Sequence, residues 1–221
     1  MKTNVMKTDL DLREDVEEEL LWEPSVLSTE IGVIVEDGIV TLTGSVDSYP
    51  EKWEAEKAAL RVAGVKAVAN EIDVRLSTSS FRTDEDIARA ACDILEWNVS
   101  LPNDLQVVVE DGWVTLAGHV QWYYQKDTAG NAVKYLTGVR GVSNNITVKP
   151  RVTADDVQDR IEASMERHAL LDANGIEVKT DDGKVTLKGK VFSWAEKQAA
   201  EEAAWSAPGV TEVDNQLELA F

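Results

Sequence analysis

Residues 36–46 read EDGIVTLTGSV, residues 110–120 read EDGWVTLAGHV, and residues 181–191 read DDGKVTLKGKV. Three times the chain places an Asp-Gly pair ahead of an alternating apolar run with a glycine in its middle. Alternation marks a strand. The Asp-Gly pair marks a two-residue type I′ turn, whose central residues both need positive φ. Each stretch is therefore the turn and return strand of a hairpin, and the chain is built from repeats.

Working outward, the register extends far beyond the hairpin. Thr8, Trp22, Ile31, Gly38, Gly44, Gly64 and Asn70 lie 145 residues before Thr153, Arg167, Ile176, Gly183, Gly189, Gly209 and Asn215. The middle copy is offset by 75 at Thr83 and Trp97, and by 74 at Gly112, Gly118, Gly138 and Asn144. This places three units at 8–76, 83–150 and 153–221. Ser77 to Arg82 is a polar linker expected to be flexible. Arg151-Val152 is so short that the second and third units should be held close together.

Each unit opens with Thr and, three residues on, Asp: Thr8/Asp11, Thr83/Asp86 and Thr153/Asp156. That resembles a capping box with Asp in the Glu position. Leu12, Val16 and Leu20 follow at helical spacing, as do Ile87, Ala91 and Leu95, and Val157, Ile161 and Met165. After the hairpin comes an alanine-rich helix, such as AAEEAAW at 199–205, closed by Gly64, Gly138 or Gly209 at the position of a C-terminal glycine cap. A last strand carries Ile72 and Val74, Ile146 and Val148, or Leu217 and Leu219.

The expected fold is α+β: three tandem α-β-β-α-β modules, each a small three-stranded mixed sheet packed by two helices. A right-handed crossover makes the third strand parallel to the second. The first strand is expected in the centre, because IGVIV at 31–35 is the most continuously apolar. Gly44, Gly118 and Gly189 are expected beneath the small residues of the second helix, since a mid-strand glycine permits close approach.

The chain carries 22 Lys+Arg against 41 Asp+Glu, a net charge of −19. Phosphate neutralisation needs clustered Lys and Arg, so the balance argues against a nucleic-acid partner, and none is expected. Simple attraction to an anionic membrane is disfavoured for the same reason. Gly138-Val139-Arg140-Gly141 is a GxxG, the clamp of KH domains. It occurs once, on an acidic chain, and reads as chance. No run approaches 18 apolar residues, so no transmembrane helix is expected. The start, MKTNVMKTDLDLREDVEEELL, has no apolar core of a secretory signal. The sequence therefore reads as cytoplasmic, or as periplasmic if a leader was removed.

No catalytic set emerges. His119 and His168 come from non-equivalent positions and lack metal-ligand spacing. Cys92 is the single cysteine, has no conspicuous His partner and reads as packed or idle. The Asp-Gly turns lack EF-hand spacing. The expectation is a protein that is not an enzyme, with no cofactor and no metal site.

The pattern V-x-D-G-x-V-x-L-x-G-x-V, an Ala-rich helix, then G-V-x-x-V-x-N-x-I-x-V resembles the BON domain, named for an osmotically induced protein and nodulation proteins. The closing segments are GVKAVANEIDV, GVRGVSNNITV and GVTEVDNQLEL. The resemblance covers all three units. It implies small α/β modules of osmotic-stress, secretin-associated and channel-associated proteins, with no catalytic residues. It also implies contact with membranes or other proteins. Many relatives are exported, whereas this chain shows no signal.

The aromatic residues supply candidate contacts. Trp22 and Trp97 end the first helix of two units. Trp113 follows the middle turn, and Trp122, Tyr123 and Tyr124 open the middle second helix. Residues 80–150 carry net charge −3, against −9 for residues 1–79 and −7 for 151–221. The least charged unit is thus the richest in Trp and Tyr. Such aromatics are local core lids or contact surfaces. As contacts, the candidate partner-binding residues are Trp97, Trp113, Trp122, Tyr123 and Tyr124. The functional expectation is a non-enzymatic, stress-associated binding or scaffold protein that contacts proteins or phospholipid surfaces, with self-association open. The alternative is a cytoplasmic cation sensor, since BON modules occur in a potassium-binding protein, or a small-ligand sensor.

Overall fold

The computed structural model describes residues 7–149, 157–167, 171 and 175–220. In the first unit, helix α1 (Asp9–Trp22) leads through a short 3-10 turn to strands β1 (Ile31–Glu36) and β2 (Ile39–Val46). Helix α2 (Tyr49–Arg61) then crosses to a third strand split into β3 (Ala67–Asn70) and β4 (Asp73–Val74). The middle unit runs α3 (Asp84–Glu96), β5 (Gln106–Glu110), β6 (Trp113–Val120), α4 (Tyr123–Lys134) and β7 (Gly141–Val148). The third runs α5 (Val157–Glu166), β8 (Ile176–Asp181), β9 (Lys184–Val191), α6 (Trp194–Trp205) and β10 (Glu212–Leu219). The described residues thus form three α+β modules in tandem, each a mixed sheet packed by two helices.

One expectation is corrected. The first strand of each module is an edge, and the return strand is central: β1-β2-β3, β5-β6-β7 and β10-β9-β8. The return strand pairs antiparallel with its hairpin partner and parallel with the third strand. The reason is connectivity. A helical crossover sets the third strand beside the second, so the hairpin partner is left on the outer edge. Apolar continuity misled because the open sheet face tolerates exposed apolar residues, and Ile34 is 53% exposed.

The turns form as their chemistry requires. Asp37, Asp111 and Asp182 have φ of 53°, 51° and 41°, each followed by a glycine at about 80°. Two turns are also held from a distance. The Asp9 carboxylate accepts from the backbone N–H groups of Asp37 and Gly38 at 2.9 and 3.1 Å. Asp84 accepts from those of Asp111 and Gly112, both at 2.9 Å. The third unit has Ala154 at that position of its sequence.

The mid-strand glycines are corrected too. Gly44 and Gly189 have φ of +112° and +134°. A Cβ there would stand 2.0 Å from the carbonyl oxygen of Glu30 or Gly175, the residue that enters the first strand. The close neighbour is that entering backbone, and the second helix lies elsewhere. At Gly118 the nearest atom is Leu105 Cδ2, 3.0 Å away.

Thr8 caps α1 with a full capping box closed by Asp11, and Thr83 caps α3. The corresponding pair in the third unit, Thr153/Asp156, lies outside the described residues, as does Arg151-Val152. The 77–82 linker, expected to be flexible, folds into a hydrogen-bonded turn: Ser80 and Phe81 N–H donate to the Ser77 carbonyl.

Each module keeps its own core. Leu12, Val16 and Leu20 pack on Val40 and Leu42; Ile87, Ala91 and Leu95 on Val114 and Leu116; Val157, Ile161 and Met165 on Val185 and Leu187. The repeated asparagines tie second helix to third strand. Asn70, Asn144 and Asn215 each donate to a helix carbonyl, of Lys52, Lys126 and Lys197, and accept from the backbone N–H two residues on, of Ile72, Ile146 and Leu217.

Candidate functional site

The three second helices converge, and aromatic side chains at equivalent repeat positions join the modules. Tyr49, Tyr123 and Trp194 share one position, at the start of these helices. Tyr49 packs against the core of the middle module and meets the Val142 backbone. Tyr123 stacks on Trp205 of the third, ring centroids 4.4 Å apart and planes 14° from parallel. Trp194 donates its indole N–H to the Val65 carbonyl of the first at 3.0 Å. The contacts thus run from first to second, second to third and third back to first. Such head-to-tail contacts generate a closed ring when the rotation closes.

Two further residues complete this junction. Lys134 and Trp205 occupy equivalent positions near the helix ends. Lys134 is 5% exposed, the one buried charged side chain among the described residues, with its ammonium 3.0 Å from the centroid of the Trp53 ring. Burial and the nearby Lys57 push its pKa down. The aromatic face offers it partial compensation. Trp205 packs on both its own core and the middle one. Its buried Nε1 has no hydrogen-bond partner among the described residues.

The convergence leaves a groove of about 750 Å³. Equivalent positions of all three helices line it, Trp53 with Asp127 and Gln198, and Lys57 with Asn131 and Glu202. Trp122, Tyr123 and Tyr124 join that lining. Tyr123 is the deepest of these, and burial, with the charges of Glu201, Asp127 and Glu202, pushes its phenol pKa up. Trp122 is 38% exposed and Tyr124 55%.

The other two expected contact residues lie apart. Trp97 caps the end of α3 and is 86% exposed; its equivalent Trp22, at the end of α1, is 85% exposed. Exposed Leu21 adjoins Trp22, and exposed Val99 follows Trp97. Trp113 is half exposed on the open face of the middle sheet. Its ring covers Gly141 and its indole N–H donates to Ser143 Oγ at 2.9 Å. His119 is exposed beside Thr147 and Lys149, and Cys92 is exposed rather than packed. His168 lies outside the described residues. Sequence reasoning missed Trp53, Lys134 and Trp194 as junction residues. The repeat register held a signal for Trp194 alone, since Tyr49, Tyr123 and Trp194 keep one position aromatic; Trp53 aligns with Asp127 and Gln198, and Lys134 with Leu60 and Trp205.

The family model of the BON domain matches three times, at residues 8–75, 83–150 and 153–220. The chain belongs to the BON family. Osmotically-inducible protein Y of Escherichia coli (strain K12) is 30% identical over 139 residues, 59% of this chain and 67% of that protein. Two structures of CdsD, a structural protein of the type III secretion system of Chlamydia trachomatis, align over 95% and 97% of this chain and 92% and 100% of theirs. Both are 16% identical, with a TM-score of 0.27. The PrgH periplasmic domain aligns over 92% of this chain and 99% of its own at 13% identity and a TM-score of 0.22. Within each BON module, the Asp-Gly turn, the mid-strand glycine and the closing asparagine all perform structural tasks. Among the described residues no helix is long and apolar enough to cross a membrane.

Proposed function

We propose that this three-module BON protein is a non-catalytic, stress-associated binding protein that captures protein or phospholipid surfaces through exposed aromatic residues. The observation that carries the reading is the pair Trp22 and Trp97. They stand 85% and 86% exposed at equivalent helix ends, beside further exposed apolar residues. A soluble fold gains nothing from leaving an indole in water, and aromatics are enriched at interface centres and at membrane–water boundaries. Trp113 extends the aromatic surface. Closure of the modules holds these sites on one frame, so weak contacts add as avidity where geometry permits. With a charge of −19, the lipid partner would be zwitterionic.

Light scattering and co-sedimentation with phosphatidylcholine vesicles and with candidate protein partners test this reading. Wild type is expected to be captured, and the Trp22→Ala/Trp97→Ala double variant, still folded, to be captured several-fold less. Equal capture by both would remove these residues from the contact surface. The cation-sensing alternative is not favoured: among the described residues no group of three His, Cys, Asp or Glu side chains is placed to hold a metal ion.

A further inference from the structure

The groove between the second helices combines aromatic rings with carboxylates. Trp122, Tyr124 and the Tyr123–Trp205 stack supply its rings. Asp127, Glu201 and Glu202 supply three carboxylates. Among the described residues none of the three forms an ion pair; their hydrogen-bond donors are neutral amides. Asn131 donates to Asp127 at 2.7 Å, Asn215 to Glu201 at 3.0 Å and Gln198 to Glu202 at 2.9 Å. The one cation in the lining, Lys57, has its ammonium 3.9 Å from the Trp53 ring centroid. Lys134 covers the same ring. Asp127 has the Lys134 ammonium nearby, which leaves, among the described residues, Glu201 and Glu202 as carboxylates without a cation partner beside the exposed rings of Trp122 and Tyr124.

We propose that this groove binds a small organic cation whose charge is spread over alkyl groups, a quaternary ammonium compound. Ring quadrupoles attract such a cation, and carboxylates at longer range add to the attraction. A methylated ammonium has no N–H to satisfy, so it suits a wall of rings and carboxylates without close donors or acceptors aimed at one point. A bare metal ion would need several oxygens converging on it, which the groove does not offer. An anion would meet three carboxylates. The volume of about 750 Å³ falls in the range of small-molecule sites and far exceeds that of one ion. The protein already uses this recognition internally, in the ammonium of Lys134 over Trp53.

The site is distinct from the exposed Trp22 and Trp97, so the two readings fail separately. Tetramethylammonium and choline chloride are titrated into the full chain by calorimetry and by tryptophan fluorescence, with potassium chloride at equal ionic strength as control. Saturable binding is expected for both organic cations and none for potassium. Tyr124→Ala and Glu202→Gln are each expected to weaken it by about twofold to fivefold, the scale of one exposed cation–π or charge contact. Their melting temperatures should stay near wild type, since both side chains sit at the groove surface. Trp97→Ala should bind as wild type. No saturation by about 10 mM ligand, an equal response to potassium, or unchanged affinity in both variants would overturn the proposal. So would binding of a lysine-rich peptide without binding of tetramethylammonium.

Discussion

If the modules form one cooperative body, the Tyr123–Trp205 stack must be worth measurable energy. The test is a double-mutant cycle: Tyr123→Leu, Trp205→Leu and both together. A stacked ring pair contributes about 0.5–1.5 kcal/mol beyond the area it buries. Trp205 also packs on two cores. Its replacement by Leu should cost about 2 kcal/mol, below the roughly 3–5 kcal/mol of truncating a fully buried Trp to Ala. Tyr123 is partly buried, so Tyr123→Leu should cost about 1 kcal/mol, within the usual range for single substitutions. The double variant should lose less than the sum, leaving a coupling of about 1 kcal/mol. Each kcal/mol moves the melting temperature by about 2–4 °C in a chain of this size. Trp97→Leu, on an 86% exposed side chain, is the control and should stay within about 0.5 kcal/mol. Urea unfolding is followed by far-ultraviolet circular dichroism and by tryptophan fluorescence. The two curves should coincide in wild type and separate in the double variant. A coupling below about 0.3 kcal/mol would mean additive, independent sites and would refute the closed arrangement.

Three other outcomes follow from the modules themselves. Gly44→Ala and Gly189→Ala place a Cβ 2.0 Å from a carbonyl oxygen at positive φ, and each should cost more than about 2 kcal/mol in a thermal melt. Gly118→Ala, meeting a flexible leucine terminus, should cost less. Asp84→Ala leaves the Asp111 and Gly112 N–H groups without their carboxylate; chemical denaturation should show a loss of about 1 kcal/mol, and Asp9→Ala a similar one. Hydrogen bonds from Thr8, side chain first and then backbone, hold the Asp11 pKa below its ordinary value, and the Thr83 hydroxyl does so for Asp86. Their stabilisation is present above the unfolded carboxylate pKa and is lost as pH falls through the lowered folded values. Asp11→Asn should therefore make the acid limb of the stability profile shallower, read as melting temperature against pH.

Much of each module was legible because its signals are local. The spacing of Ile87, Ala91 and Leu95 returns as the buried stripe of α3, and Asp111-Gly112 takes the positive φ values that its residue types predict. The strand order was misread because IGVIV advertises apolarity while hydrogen-bond partners, fixed by connectivity, decide which strand is central. Gly44 was recognised as a point of close approach, yet its neighbour was misassigned. The Glu30 carbonyl reaches it through antiparallel pairing, which no periodicity displays. The five candidate contact residues divided for a similar reason. Trp97 stands in solvent, Trp113 lies on Gly141, Tyr123 is half-buried in a junction, and Trp122 and Tyr124 flank a groove.

The sequence by itself determined the repeats, the element types, the turn geometry, the module cores and the family, because helix caps, glycine turns and apolar periods act within a few residues. Only the tertiary structure decided that the second helices converge. The residues that meet there, Trp194 with Val65, Lys134 with Trp53 and Tyr123 with Trp205, are 129, 81 and 82 positions apart in the chain. Their contact depends on how whole modules dock. A tyrosine at the start of a helix looks the same in sequence whether it ends in water or against another core.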